Sequence, residues 1–279
     1  MAFGQGQEAG EGYVSKLFTG VENFKVTHVN PTHEELKQIY GDNAKEPVYV
    51  TEEEGVKRIM INLLLDNEPE EGQESIKTRL TFFVANTPRV SDEKGKTEYI
   101  NAYGQSAWLP SDGTVSEAMS WFDKEGMRPA LNGEVPLIQA LRNLLNLPSK
   151  KNAKNPADAK SEFSMEEWKA MASGNFTALR NVVKSSPNKL GVLLGVKTMD
   201  DGKMYQDTFN RSTLRQYGKT SQKFDYLRDS VTDAQANGAY SKTDFGNPDY
   251  ILREFTPGEV HSDNGGVLAE QEATEFDTF

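Results

Sequence analysis

Two long segments with a period of two constrain this chain more than any other feature. Gly55–Asp66 holds an apolar run, Ile59 to Leu65, broken only by Asn62. Ile76–Ala85 alternates strictly, with Ile76, Thr78, Leu80, Phe82 and Val84 on one face and Lys77, Arg79, Thr81 and Phe83 on the other. Asn67–Glu74 is an acidic loop between them, and Asn86-Thr87-Pro88 closes the second segment. Alternation of this kind belongs to strands with one buried face. After a polar, turn-like stretch at Ser91–Lys96, a third strand is expected over Thr97–Trp108, completing an antiparallel meander.

The flanks are of mixed type. Asn23–Val29 reads as a short strand. It is followed by Asn30-Pro31-Thr32, with Thr32 as N-cap and Glu35 three residues on as a capping box, then a helix His33–Tyr40 ending at Gly41. Helical spacing appears at Val115–Asp123, Val135–Leu147, Ser164–Ser173 and Asn175–Ser185, with an exposed loop at Pro148–Ala159. Strand character returns at Leu190–Thr198, Met204–Asn210 and Tyr250–Phe255, with a helix around Ser221–Ala234. The expected class is α+β. The expected architecture is an OB-like antiparallel five-stranded β-barrel with a helical insertion, about 110–188, between strands three and four. In this reading residues 1–16 are a flexible arm, 17–255 a single domain and 256–279 a disordered acidic C-terminal tail. A generic α+β domain fits the same element order.

Composition excludes several chemistries. There is no Cys, hence no disulfide, no Cys-ligated zinc, no iron–sulfur cluster and no thiol nucleophile. Only His28, His33 and His261 offer imidazole, so no metal site and no cofactor is expected. There is no GxxxxGK[ST] loop, no HExxH and no GxSxG. Carboxylate runs such as Glu52-Glu53-Glu54 lie in loops, whereas two-metal nucleases draw ligands from fixed positions on separate strands. A non-enzymatic role is expected. The N-terminus lacks a basic stretch followed by an apolar one, and no apolar run reaches the roughly 18 residues that span a bilayer, so a soluble intracellular protein without a membrane partner is expected.

Charge is segregated. Of the net −11, Thr256–Phe279 carries −6 and Thr51–Glu74 another −6, which leaves +1 for the rest. Phe176–Met199 (Arg180, Lys184, Lys189, Lys197) and Asn210–Lys223 (Arg211, Arg215, Lys219, Lys223) contain cations and no acids. Exposed strand faces add planar groups to these cations. Lys77, Arg79 and Phe83 share one face, as do Tyr99, Asn101 and Tyr103, and as do Tyr205, Asp207, Phe209 and Arg211. Cations interleaved with rings suit a single-stranded nucleic acid, whose phosphates need positive charge and whose unpaired bases need flat surfaces. The competing reading is that strand aromatics pack into a core. In the tail, Glu270, Glu272, Glu275 and Asp277 can mimic phosphates, and the rings of Phe276 and Phe279 can mimic stacked bases or fill a partner's pocket.

The strand TRLTFFVANTP (78–88), the segment EYINAYGQSAW (98–108), the N-terminal GVENFKVTHVNPTHEELKQIYG (20–41) and the ending EFDTF together resemble phage-encoded single-stranded DNA-binding proteins. The resemblance implies an OB-type core, sequence-independent binding of single-stranded DNA, and residence in the cytoplasm of the infected bacterial host. It further implies a role in replication, recombination and repair, with the tail docking replication or recombination proteins. By motif, Lys77, Arg79, Phe83, Tyr99 and Tyr103 would line the DNA path and Phe279 would anchor the tail. Asn101, Tyr205, Phe209, Arg211, Arg215 and Lys219 are the further candidates for that path. Some phage relatives bind zinc through Cys and His; this chain has no Cys. Self-association into a homo-oligomer is left open, and the alternative function is that of a virion or assembly protein acting through protein contacts alone.

Overall fold

Strands with one apolar face demand a partner layer, and here the sheet and three helices supply it to each other. The computed structural model describes residues 16–72, 75–93, 96–100, 106–110, 129–147, 163–210, 213–215, 225–246 and 252–256. In chain order these form β1 (Phe18–Val29), α1 (His33–Tyr40), β2 (Val50–Glu53), β3 (Val56–Asp66), β4 (Lys77–Pro88), β5 (Val90–Glu93), β6 (Lys96–Ile100) and β7 (Ser106–Pro110). There follow β8 (Leu131–Asn132), α2 (Glu134–Leu144), α3 (Met165–Met171), α4 (Thr177–Lys184), β9 (Leu190–Thr198) and β10 (Met204–Thr208). Last come β11 (Leu214–Arg215), α5 (Asp225–Ala236), β12 (Thr243–Asp244) and β13 (Arg253–Glu254).

The fold is α+β. A ten-stranded antiparallel sheet runs β10-β9-β1-β3-β4-β8, with β2 on β3, β11 and β12 on β9, and β13 on β1; β5-β6-β7 form a separate three-stranded sheet. β1 is the pivot of the large sheet. Gly20–Phe24 pair with β9, Lys25–Val29 pair with β3, and the register shifts between Val26 and His28. A bulge at such a crossing sharpens the local twist and lets the sheet coil. The sheet is open nonetheless, for no ladder joins β10 to β4 among the described residues.

The main core lies between one face of the sheet and α2–α4. Phe24, Ile61, Leu63, Leu80 and Phe82 meet Leu137, Leu141, Trp168, Met171 and Leu179, all at most 2% exposed. A smaller cluster on the other face of β1 and β9 joins Val21 and Leu193 to Phe209, Val231, Ala234 and Phe245. β9 is therefore buried on both faces, which is why LGVLLGV reads as a continuous apolar run rather than an alternating one.

Several expectations need correction. The strand expected over Thr97–Trp108 is two strands, β6 and β7, which pair with each other (Tyr99↔Ala107) in the separate small sheet. The flank of β4 where a meander would put that segment is paired instead with β8 (Ala85↔Asn132). β1 begins at Phe18 instead of Asn23 because Phe18 and Thr19 pair with β13 and Gly20–Val21 with β9, contacts from residues far along the chain. β10 stops at Thr208, since Phe209 turns into the smaller core.

The capped helices match closely. Thr32 Oγ1 accepts from the Glu35 amide at 3.3 Å while Glu35 Oε2 accepts from the Thr32 amide at 2.6 Å, and Ser164 and Glu167 repeat the arrangement for α3. The expected helix Val115–Asp123, the loop Pro148–Ala159, the arm up to residue 15 and the tail from residue 257 lie outside the described residues. Among the described residues no helix is long and apolar enough to cross a membrane.

Candidate nucleic-acid interface

The register of β4 on β3 decides which side chains face outward. Thr78, Leu80, Phe82 and Val84 are buried, whereas Lys77 and Thr81 are half-buried and Arg79 and Phe83 exposed. Phe83 is 64% exposed, and no other phenylalanine among the described residues is classed as exposed. On β3 the cross-strand partners are Asp66 for Lys77, Leu64 for Arg79, Asn62 for Thr81 and Met60 for Phe83. Lys77 Nζ lies 3.5 Å from Asp66, so its charge is shared. Arg79 makes no ion pair and no side-chain hydrogen bond with any described residue. Asn62, the polar break in the apolar run, is a connector. Its Oδ1 accepts from Thr81 Oγ1 at 2.8 Å and its amide donates to Asn30 Oδ1 at 2.7 Å.

Across the open edge of β4 stands the end of β10. Thr208 Oγ1 donates to the Arg79 carbonyl at 2.7 Å, and Asn210 Nδ2 donates to the Thr81 carbonyl. These two side-chain bonds bridge the gap where a ladder is missing. Above them lies a cleft of about 250 Å³, with Arg79, Thr81 and Phe83 on one wall and Asp207, Thr208 and Asn210 on the other.

Tyr240 also lines the cleft. Its hydroxyl donates to Asn210 Oδ1 at 2.8 Å and its ring packs 5.0 Å from Phe209 and 5.7 Å from Phe245. Its backbone sits at φ 58°, a left-handed conformation unusual for a bulky side chain, which this hydrogen bond and ring packing hold in place. Asp207 is fixed from two sides, with its Oδ1 accepting from the Thr208 amide and its Oδ2 from Thr243 Oγ1, both at 2.8 Å.

Two further tyrosines feel the Arg79 charge. Burial pushes the Tyr40 phenol up, against the pull of the Arg79 charge, which places the end of α1 within electrostatic reach of that guanidinium. Burial likewise pushes Tyr49 up to about 12, opposed chiefly by Arg180, and its hydroxyl donates to the Pro31 carbonyl at 2.8 Å.

Of the residues singled out in the sequence, Lys77, Arg79 and Phe83 come together on β4, and Tyr205 lies on β10, half-buried and paired with Lys197. Phe209 is fully buried, so the stacking role expected of it is corrected to a core role. Tyr99 lies in β6 and Arg215 in β11, paired with Leu190. Asn101, Tyr103, Arg211, Lys219 and the tail residues Glu270, Glu272, Glu275, Phe276, Asp277 and Phe279 lie outside the described residues.

Cations in the first basic segment are partly structural. Arg180 donates to the Val29 and Asn30 carbonyls, and Lys189 donates to the Asn67 carbonyl at 2.7 Å. The cleft residues Thr208, Asn210 and Tyr240 went unnoticed in the sequence. Their roles depend on a contact between distant strands that no local pattern announces.

Comparison of the chain with protein-family models, with curated proteins and with solved structures finds no match. Among the described residues no group of three or more His, Asp or Glu side chains is placed to hold a metal ion.

Proposed function

We propose that the protein binds single-stranded DNA along the outer face of β4. One observation carries this reading: an exposed arginine without an ion partner among the described residues and an exposed phenylalanine stand two pleats apart on the same strand face, beside a cleft. At roughly 3.3 Å per residue they are about 13 Å apart. A guanidinium meets phosphate oxygens and a ring meets a base, which is the combination that holds unpaired strands without regard to sequence.

The barrel expected from the sequence finds support in strand order. The strands differ from those expected, since β1 enters and Thr97–Trp108 drops out: counting β1, β3, β4, β9 and β10 as strands one to five, the sheet runs three-two-one-four-five. Such a sheet closes when strand five meets strand three, and the Thr208 and Asn210 bonds to β4 span that seam. A five-stranded OB barrel is partly open in just this manner. In this reading the insertion is the whole stretch between β4 and β9, β5–β8 as well as α2–α4, and begins after Pro88 rather than near residue 110. The acidic tail would compete for the path through Glu270, Glu272, Glu275 and Asp277 and dock replication or recombination proteins through Phe276 and Phe279, in the cytoplasm of a phage-infected cell.

Gel shift and Trp/Tyr fluorescence titration with oligo-dT and with a duplex of equal length test the reading. Binding of the single strand at low salt in preference to the duplex is expected. No binding of oligo-dT at low salt would overturn it and leave a role in protein contacts.

A further inference from the structure

Resting on that reading, we infer that the cleft between β4 and β10 holds one unpaired base whose edge presents hydrogen-bond donors, guanine best and thymine worst, and that Asp207 is the residue that reads it. On the β10 side of the cleft most side-chain donors are committed elsewhere. Asn210 Nδ2 goes to the Thr81 carbonyl, Thr208 Oγ1 to the Arg79 carbonyl, the Tyr240 hydroxyl to Asn210, and Gln206 Nε2 to the Phe18 and Gly195 carbonyls. On that side the second N–H of Asn210 Nδ2 and the acceptor capacity of Asp207 are left over, and the Arg79 guanidinium lines the opposite wall. Each Asp207 oxygen already accepts one bond, and a carboxylate oxygen has lone pairs for two.

A carboxylate in the path of a polyanion repels phosphate, so phosphate goes to Arg79 and the group that meets Asp207 has to be a donor. Guanine offers two adjacent donors, N1–H and the N2 amino group, that match the two oxygens of one carboxylate. Cytosine and adenine offer an amino group beside a ring acceptor. Thymine offers one N–H flanked by two carbonyls that face the carboxylate unfavourably. The two bonds that fix Asp207 set its orientation before a ligand arrives, and Phe83 stands at the mouth, exposed, for the base to stack on.

The test compares oligo-dT with the same oligomer carrying a single central guanine, at one fixed salt concentration, for the wild type and for Asp207→Asn. The wild type should bind the guanine-bearing strand about tenfold more tightly, within the range of a bidentate base contact. In Asp207→Asn the ratio should fall to about one, with circular dichroism and a thermal melt showing that the variant is folded. Equal affinity of the wild type for both strands overturns the base pocket and leaves strand binding intact. A preference that survives Asp207→Asn overturns the role of Asp207. Failure of both strands to bind overturns this inference together with the proposed function.

Discussion

Arg79→Ala and Phe83→Ala separate charge from stacking on one strand face, and the two changes should differ in how salt affects them. Both side chains are exposed, and neither contributes a bond that holds the sheet, so stability should stay within about 0.5 kcal/mol of wild type. Arg79 contributes one phosphate contact. Its removal should make the plot of log affinity against log salt shallower by about 0.7, the increment for a single strand. Between 50 and 200 mM salt that slope difference is a factor of about 2.6, so the variant's deficit narrows as salt rises. Phe83 contributes ring area, which salt does not screen. Its removal should cost about 1–3 kcal/mol of binding at every salt concentration, with the slope unchanged, and Phe83→Tyr should restore most of it. Fluorescence anisotropy with labelled oligo-dT at four salt concentrations reads both quantities. Wild-type affinity in Phe83→Ala, or a slope change in Phe83→Ala equal to that in Arg79→Ala, would refute the assignment of the path to this face.

Other predictions concern the frame that holds β4 in place. At Gly133, φ is 83° and an added Cβ would lie 1.9 Å from the Phe83 carbonyl oxygen, so Gly133→Ala should cost about 3 kcal/mol in urea unfolding, from left-handed strain plus a forced shift of β4. A loss under 1 kcal/mol would show that the turn relaxes without strain. Glu134 is fully buried, its carboxylate accepting from the Leu131 amide at 2.8 Å and from Trp168 Nε1 at 3.0 Å. Glu134→Gln turns one acceptor into a donor that faces a donor and should cost about 2 kcal/mol, read by circular dichroism during denaturation. Tyr49 is held neutral in the folded state to about pH 12, whereas an unfolded tyrosine ionises near 10. The resulting stabilisation is complete below pH 10 and lost as pH rises toward 12, so Tyr49→Phe should flatten the fall in stability across that window.

Local patterns were legible wherever local chemistry decides the outcome. The outward set Lys77, Arg79, Thr81 and Phe83 follows from alternation alone, because one face of β4 had to be buried. The capping box at Thr32 lies within four residues of chain and was equally readable, whereas that at Ser164, just as local, was passed over. Phe209 was misread because alternation was carried past the end of β10, where the ring turns in beside Phe245 and Val231. The Thr97–Trp108 segment was misread because strand-forming residues stand on both sides of Gly104 (Tyr99, Ile100 and Tyr103 before it, Ala107 and Trp108 after it), so one long strand and two short ones have the same composition. The cleft was out of reach altogether. Thr208 and Asn210 meet Arg79 and Thr81 across a separation of 129 residues, and only the coiling of the sheet through β1 creates that meeting.

Where the cations end up limits what kind of binder this acidic chain can be. Lys25 is taken up by Glu68 at 2.7 Å, Lys77 by Asp66, Lys189 by the Asn67 carbonyl, and Arg180 by the backbone at the end of β1. The acidic loop that joins β3 to β4 thus absorbs positive charge from β1 and from the turn before β9, and so ties those elements to the sheet. Of the cations on the face of β4, only Arg79 carries a charge that no described side chain compensates. An exposed ion contact is weak and screened, whereas a base stacked on a ring contributes about 1–3 kcal/mol that salt leaves alone. If this face binds a single strand as proposed, affinity has to rest mainly on Phe83 and on whatever base the cleft accepts, with Arg79 fixing the register of the strand. The acidic character of the chain then ceases to be an objection. A surface that relies on rings and a shaped cleft does not need a strongly positive groove, and negative charge elsewhere helps to turn away duplex DNA, whose bases offer no free faces to stack.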